Sequence, residues 1–393
     1  MFPYTILFHA ILTSALLTPH TRTEAFVTIA NKRSTLKPSS SSLGAKHHSN
    51  KKSNDTMNTT STSTHDHCVK LNNGVSMPCI GFGTYKLNKK LTTSKIQTAL
   101  EAGYQMLDTA YVYGGQKTEG LVGEALQKSL ESNSNFNKPF ITTKVWRNHH
   151  GYEQTTQCLQ ESLNRLQLNQ VDLVLIHWPG PAYDSQKKRE MQENNNYNPV
   201  KAVQDGQEDI ASLRLETWRA LEDAYLQGYC RAIGVSNYSI KHLEKLISWK
   251  DIRIKPMVNQ VEMHPYYNQK ELRAYCSSQD IVIQAYSSLG GQDYSKKDYK
   301  NVLEKPPLLQ NKIVLDIAKI KSKTPSQVLL RWAYQHGVAV IPKSENDNHI
   351  IENICIFDFT LSPKEMELLD GLDCGMKGRL TWRNDPLRNL DFD

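Results

Sequence analysis

From residue 68 onward, short apolar runs alternate with longer segments whose apolar residues recur every three or four positions. The runs are CIGFGT (79–84), QMLDTA (105–110), FITTKVW (140–146), LVLIHWP (173–179), RAIGVS (231–236), PMVNQVE (256–262), IVIQAYSSL (281–289) and VAVIPKS (338–344). Brief, nearly continuous apolar runs read as strands buried on both faces. Between them, SKIQTALEAG, YEQTTQCLQESLNRL, LETWRALEDAYLQG, KHLEKLISW and KELRAYCSS carry the spacing of amphipathic helices. Eight such pairs over about 290 residues predict an α/β fold, a (β/α)8 TIM barrel forming one domain. Just ahead of them, VKLNNGVSMPC sets Asn73-Gly74 between apolar residues and predicts an N-terminal β-hairpin with a type I′ turn.

The rhythm is absent from the first 66 residues. ILFHAILTSALLTP (6–19) is an apolar run of signal-peptide length, too short to span a bilayer comfortably. Residues 1–25 therefore read as a signal-peptide-like segment, although the usual basic start is missing. Residues 26–66 read as a transit-peptide-like or disordered linker, because 26–54 are rich in Ser and Lys/Arg and contain no acid. A leader of these two parts resembles the presequence of an alga with secondary plastids, so a plastid is the expected destination, with the secretory pathway as the alternative. The barrel is expected over 67–393, with no membrane contact in the mature protein.

Charge changes the picture little. The chain has a formal net charge of +7, but residues 1–54 hold seven Lys/Arg and one Glu, leaving 40 basic against 39 acidic residues. No basic footprint for nucleic acid remains in the barrel. The seven cysteines are scattered without a CxxC pair or a tight His/Cys cluster, so they read as reduced thiols, mostly buried, and no metal is expected.

Position gives the polar residues meaning. Active sites of such barrels lie at the C-terminal ends of the strands. Asp108 ends the second run, Lys144 the third and His177 the fourth, with Tyr113 in the loop after the second. Individually, such an Asp can be a helix cap, such a Lys a solvated charge and such a His a structural one. Four ionisable groups arriving at one rim point to chemistry.

Several stretches together resemble the aldo-keto reductases: MPCIGFGTYK, GYQMLDTAYVYG, TTKVW, LIHWP, AIGVSN, NQVEMHPY and VIPKS, from about Val69 to the end. Asp108 and Tyr113 lie five residues apart and Lys144 and His177 lie 33 apart, a spacing that fits the family. The resemblance implies reduction of aldehydes or ketones by hydride transfer. Tyr113 would give the proton, Lys144 would lower the phenol's pKa, Asp108 would position Lys144, and His177 would hydrogen-bond the carbonyl oxygen. It implies a nicotinamide cofactor held by Ser236, Asn237 and Gln260 at the carboxamide and by Tyr286 stacked on the ring. Thr84, Ser287 and Leu289 would line the groove. Lys343, Ser344, Asn346, His349, Glu352 and Asn353 would surround the adenosine phosphate. Tyr85, Trp146 and Trp178 would wall the substrate pocket. A cofactor-sensing regulatory subunit of the same fold is the alternative, and the oligomeric state is left open.

Some features depart from the family pattern. Tyr85 stands where a Trp is usual, GGQKTEG lengthens the loop after Tyr113, and His349 replaces a common Arg. With Glu345 adding a negative charge beside Lys343, NADPH is expected to be preferred by a reduced margin, with NADH usable. The polar stretch 182–209 follows the His177 strand and reads as a loop over the mouth, either lid or disorder.

Overall fold

The computed structural model describes residues 67–133, 136–180, 210–291 and 303–381. The expected segments 1–25 and 26–66 lie outside the described residues, as does the stretch 182–209.

Strands β1 (Cys68–Lys70) and β2 (Ser76–Pro78) form the expected antiparallel hairpin, with Val69 opposite Met77. Its turn differs from the expected type I′. Gly74 N–H donates to Leu71 at 2.8 Å, but of the loop residues only Gly74 has positive φ, at 84°. The loop is therefore a three-residue turn ending in a left-handed glycine. Asn73 is occupied instead in accepting from Val75 N–H at 3.1 Å and donating to the Arg231 carbonyl at 2.9 Å. Asn72 donates to the Pro256 carbonyl at 3.2 Å, so the hairpin tip lies against the residues that lead into the barrel strands.

Eight parallel strands follow in chain order: β3 (Phe82–Gly83), β4 (Met106–Asp108), β5 (Phe140–Val145), β6 (Val171–Ile176), β7 (Cys230–Ser236), β8 (Val258–Glu262), β9 (Val282–Tyr286) and β10 (Ala339–Val340). Every expected run overlaps one of them, although β6 starts two residues and β7 one residue ahead of the run read from the sequence. The ends of the sheet meet through Gly81 N–H to the Val340 carbonyl at 2.8 Å, Val340 N–H to Cys79 at 2.9 Å and Gly83 N–H to Pro342 at 3.0 Å, which closes the barrel. Gly83 is needed at this seam, since a Cβ there would lie 2.8 Å from the Ile341 carbonyl oxygen.

The outer layer comprises α1 (Thr92–Glu101), α2 (Thr118–Ser132), α3 (Tyr152–Leu166), α4 (Ile210–Leu226), α5 (Ile240–Ser248), α6 (Lys270–Ser278), α7 (Lys312–Lys321), α8 (Pro325–Gln335), α9 (Asp347–Ile354) and α10 (Pro363–Asp370). Helix α3 shows why these segments are helical: Thr155, Cys158, Leu159, Ser162, Leu163 and Leu166 form one buried stripe. Local signals set several starts. Ser239, Thr324 and Ser362 each close a capping box, and Pro follows the latter two at the first helical position. None of the described helices is long and apolar enough to cross a membrane. The seven cysteines are free, but only Cys158, Cys230 and Cys276 are buried, fewer than expected.

Candidate active site

Register carries three of the four rim residues to the same end of the sheet. Asp108 is the last residue of β4, Lys144 is the penultimate residue of β5, and His177 directly follows β6. Tyr113 is brought back by the loop between β4 and α2, where Gly114, Gly115 and Gln116 all have positive φ, at 57°, 63° and 68°. Two glycines make that left-handed run inexpensive, which explains the GG of the lengthened loop.

At the centre, the Lys144 ammonium lies 2.6 Å from Asp108 Oδ1 and donates to the Thr109 carbonyl at 2.8 Å. Its third contact, to the Tyr113 hydroxyl, is longer at 3.4 Å, so it acts there more as a nearby charge than as a strong hydrogen bond. Asp108 Oδ2 accepts from Gln260 Nε2 at 2.7 Å. Both carboxylate oxygens are thus engaged in a fully buried pair, the condition under which such a pair is tolerable. The Tyr113 ring lies 5.7 Å from the His177 ring and 5.0 Å from that of Tyr85, and Trp146 lies 5.1 Å from His177.

Burial governs the protonation of these groups. It raises Tyr113 well above the usual phenol value, and the negative charge of Asp108 adds to this. The expected lowering by Lys144 is therefore not found: desolvation penalises phenolate, and Asp108 offsets the field of its own partner. The phenol stays protonated, as a proton donor must. Burial also lowers Lys144, opposed by Asp108, and lowers His177 well below the usual imidazole value, with Lys144 reinforcing the effect. His177 is neutral at pH 7 and retains one N–H to donate.

These imidazoles predict a pH signature of stability. Burial, aided by Arg147 and Arg214, pushes His150 down to about 3. Below an unfolded pKa of about 6.5, the unfolded chain takes protons that folded His150 and His177 refuse. Stability is therefore full above that pH and falls as pH drops from it. Glu161, Glu345 and Glu365 have lowered values and contribute only further down, so the interval from about pH 6.5 to 5 reports the imidazoles. Urea midpoints should fall across it, each imidazole adding up to about 1.4 kcal/mol per pH unit. A flat midpoint would mean that these rings are not held neutral.

The expected cofactor residues fall into two groups. Around the mouth, Ser236 Oγ donates to the Gln260 carbonyl at 2.8 Å, and Asn237 Nδ2 donates to the His177 carbonyl at 2.9 Å. The Tyr286 phenol donates to Asn237 Oδ1 at 2.7 Å, which fixes its half-buried ring beside them. Asn237 and the neighbouring Ser287 have positive φ, at 64° and 53°, a strained backbone at both strand ends of the kind that collects at ligand sites. Gln260 directs its amide Nε2 to Asp108 and to Gln284 Oε1, the latter at 2.6 Å. Thr84 is fully buried, with N–H and hydroxyl both donated to the Asp108 carbonyl, and Leu289 is buried.

The second group surrounds the start of α9. Asn346 caps it by accepting from His349 N–H at 3.1 Å, and Ser344 accepts from Asn346 N–H at 3.1 Å. His349 is exposed in the first turn, Glu352 is half-buried and Asn353 is buried. Lys343 lies 3.3 Å from Glu345, which also accepts from Asn88 N–H at 3.0 Å. A helix start with a Lys fits phosphate, and an aromatic face beside a polar edge fits a nicotinamide ring, so the residues suit a dinucleotide.

Among the substrate residues, Tyr85 is 40% exposed, whereas Trp178 is 2% exposed and stacks against His177 at 6.4 Å, offering little surface to a ligand. Reading the sequence missed Glu119, which is fully buried, accepts from Thr143 Oγ1 at 2.6 Å and from Arg165 Nε at 2.8 Å, and so ties α2 and α3 to the strand carrying Lys144. Its only signal was an acid inside the GGQKTEG departure.

The sequence model of the aldo/keto reductase family matches residues 79–373. The chain is similar to a glyoxal reductase of Bacillus subtilis, at 42% identity over 78% of this chain and 92% of that protein. It is similar to an NADH-dependent D-xylose reductase of Candida parapsilosis, at 35% identity over 82% of this chain and 97% of that protein. Among solved structures, an aldo-keto reductase enzyme from a deep-sea metagenome library superposes with a TM-score of 0.64 and 34% identity, covering 79% of this chain and 96% of that one.

Proposed function

Since the chain belongs to the aldo/keto reductase family, whose members reduce carbonyl groups with nicotinamide cofactors, we propose that it reduces small aldehydes to alcohols with Tyr113 as the proton donor. One observation carries this reading: a phenol kept protonated by burial stands 3.4 Å from a buried ammonium and beside a neutral imidazole. A nicotinamide cofactor, when bound, would supply the hydride that the carbonyl carbon takes up. Tyr113 gives its hydroxyl proton to the carbonyl oxygen, and the nascent phenolate is met by the positive charge of Lys144. Asp108 and the Thr109 carbonyl hold that ammonium in place. His177 donates its N–H to the carbonyl oxygen and orients it. Ser236, Asn237 and Tyr286 would hold the nicotinamide end, and Lys343 with the start of α9 would hold the phosphate end.

The names of the similar glyoxal and D-xylose reductases support small oxygenated aldehydes as the first substrates to assay. Cofactor oxidation that depends on such an aldehyde supports the reading. Cofactor binding without turnover on any carbonyl of a broad panel overturns it in favour of a sensing subunit.

NADPH is the proposed preferred cofactor, with NADH usable. Lys343 offers a point charge to a 2′-phosphate, but Glu345 at 3.3 Å spends part of it, and His349 is a weaker cation than Arg. His349→Arg is expected to shift the ratio of kcat/KM for NADPH over NADH by about 1–2 kcal/mol in favour of NADPH, the range of a charge-assisted hydrogen bond. An unchanged ratio would place His349 away from the phosphate.

A further inference from the structure

Glu262 ends β8 and is paired in register with Tyr286 at the end of β9. Its side chain is buried. Oε1 accepts from the main-chain N–H of Leu380 at 2.7 Å and of Thr381 at 3.1 Å. Oε2 accepts from the same Thr381 N–H at 3.1 Å and from the Thr381 hydroxyl. His264 Nε2 lies 3.3 Å from Oε1. A buried carboxylate is retained here because main-chain donors of the C-terminal segment converge on it.

The segment is brought there by a close approach. Gly378 lies so near Tyr266 that a Cβ would sit 1.6 Å from its carbonyl oxygen, and Cys374 N–H donates to that oxygen at 3.0 Å. From the dock the contacts continue into the site. Thr381 Oγ1 lies 3.2 Å from the Tyr286 phenol oxygen, that phenol donates to Asn237, and Asn237 donates to the His177 carbonyl. An unbroken line of polar contacts therefore joins the C-terminal segment to the aromatic ring assigned above to the nicotinamide.

We propose that Glu262 is a positioning residue which, through Thr381, couples docking of the C-terminal segment to the Tyr286 platform, so that docking and cofactor binding strengthen each other. The inference rests on the cofactor reading above. Neither Glu262 nor Thr381 touches the reacting atoms. Their effect is to hold the Tyr286 ring in one orientation before the cofactor arrives, removing an ordering cost from binding.

The test uses the full chain and titrates NADPH against intrinsic fluorescence. Thr381→Val keeps the shape and the N–H donors to Glu262 but removes the hydroxyl. It is expected to raise the NADPH dissociation constant about ten-fold, while Thr381→Ser restores it to within about two-fold. Saturating NADPH should slow proteolysis after Gly378 in the unaltered protein and fail to do so in Thr381→Val, by reciprocity of coupling. Glu262→Gln should weaken cofactor binding at least as much, and if that variant does not fold, the two Thr381 variants decide. A Thr381→Val protein that loses thermal stability but binds NADPH like the unaltered chain overturns the inference, because the dock is then only structural. An unaltered protein that binds no nicotinamide cofactor overturns the cofactor reading itself, a distinguishable failure.

Discussion

Tyr113→Phe is expected to lower kcat for aldehyde reduction by roughly 10²–10⁴-fold, the usual contribution of a positioned general acid. The substitution removes one oxygen and leaves the ring packed against Tyr85 and His177. Lys144 loses only its longest contact, at 3.4 Å, and keeps Asp108 and Thr109. Folding and the NADPH dissociation constant should therefore change little, so that the loss falls on kcat and kcat/KM together, as for a group acting in the transition state. Retention of near-normal turnover would assign the proton to another donor, the candidates beside the ring being the Tyr85 phenol at 5.0 Å and His177 at 5.7 Å between ring centres.

Lys144→Met is expected to carry the largest cost in stability, about 3–5 kcal/mol, alongside loss of activity. Methionine fills much the same volume, but it leaves the Asp108 carboxylate buried with only the Gln260 amide as a side-chain partner among the described contacts. The penalty comes from that stranded charge rather than from the lost attraction. Adding Asp108→Asn should consequently return part of the stability, since a neutral amide is far cheaper to bury, without returning activity. Urea denaturation of the two single variants and the double variant measures the coupling. A Lys144→Met protein within about 1 kcal/mol of the unaltered chain would mean that the pair is solvated.

The sequence by itself determined the architecture and the cast of the site. Eight runs became eight parallel strands because an apolar run bounded by turn residues has few ways to bury itself, and helical stripes such as that of α3 are local patterns. Asp108, Lys144 and His177 were legible as rim residues because a strand's end is a position in the sequence. The tertiary structure alone decided how these groups are used. Gln260 reaches Asp108 across 152 residues, and Glu262 meets Thr381 across 119, distances over which no periodicity speaks. The direction of the Tyr113 shift was also decided there, for the sequence shows a cation near the phenol but not the burial that outweighs it. Desolvation depends on everything packed around a group, and that exists only once the chain has closed into its barrel.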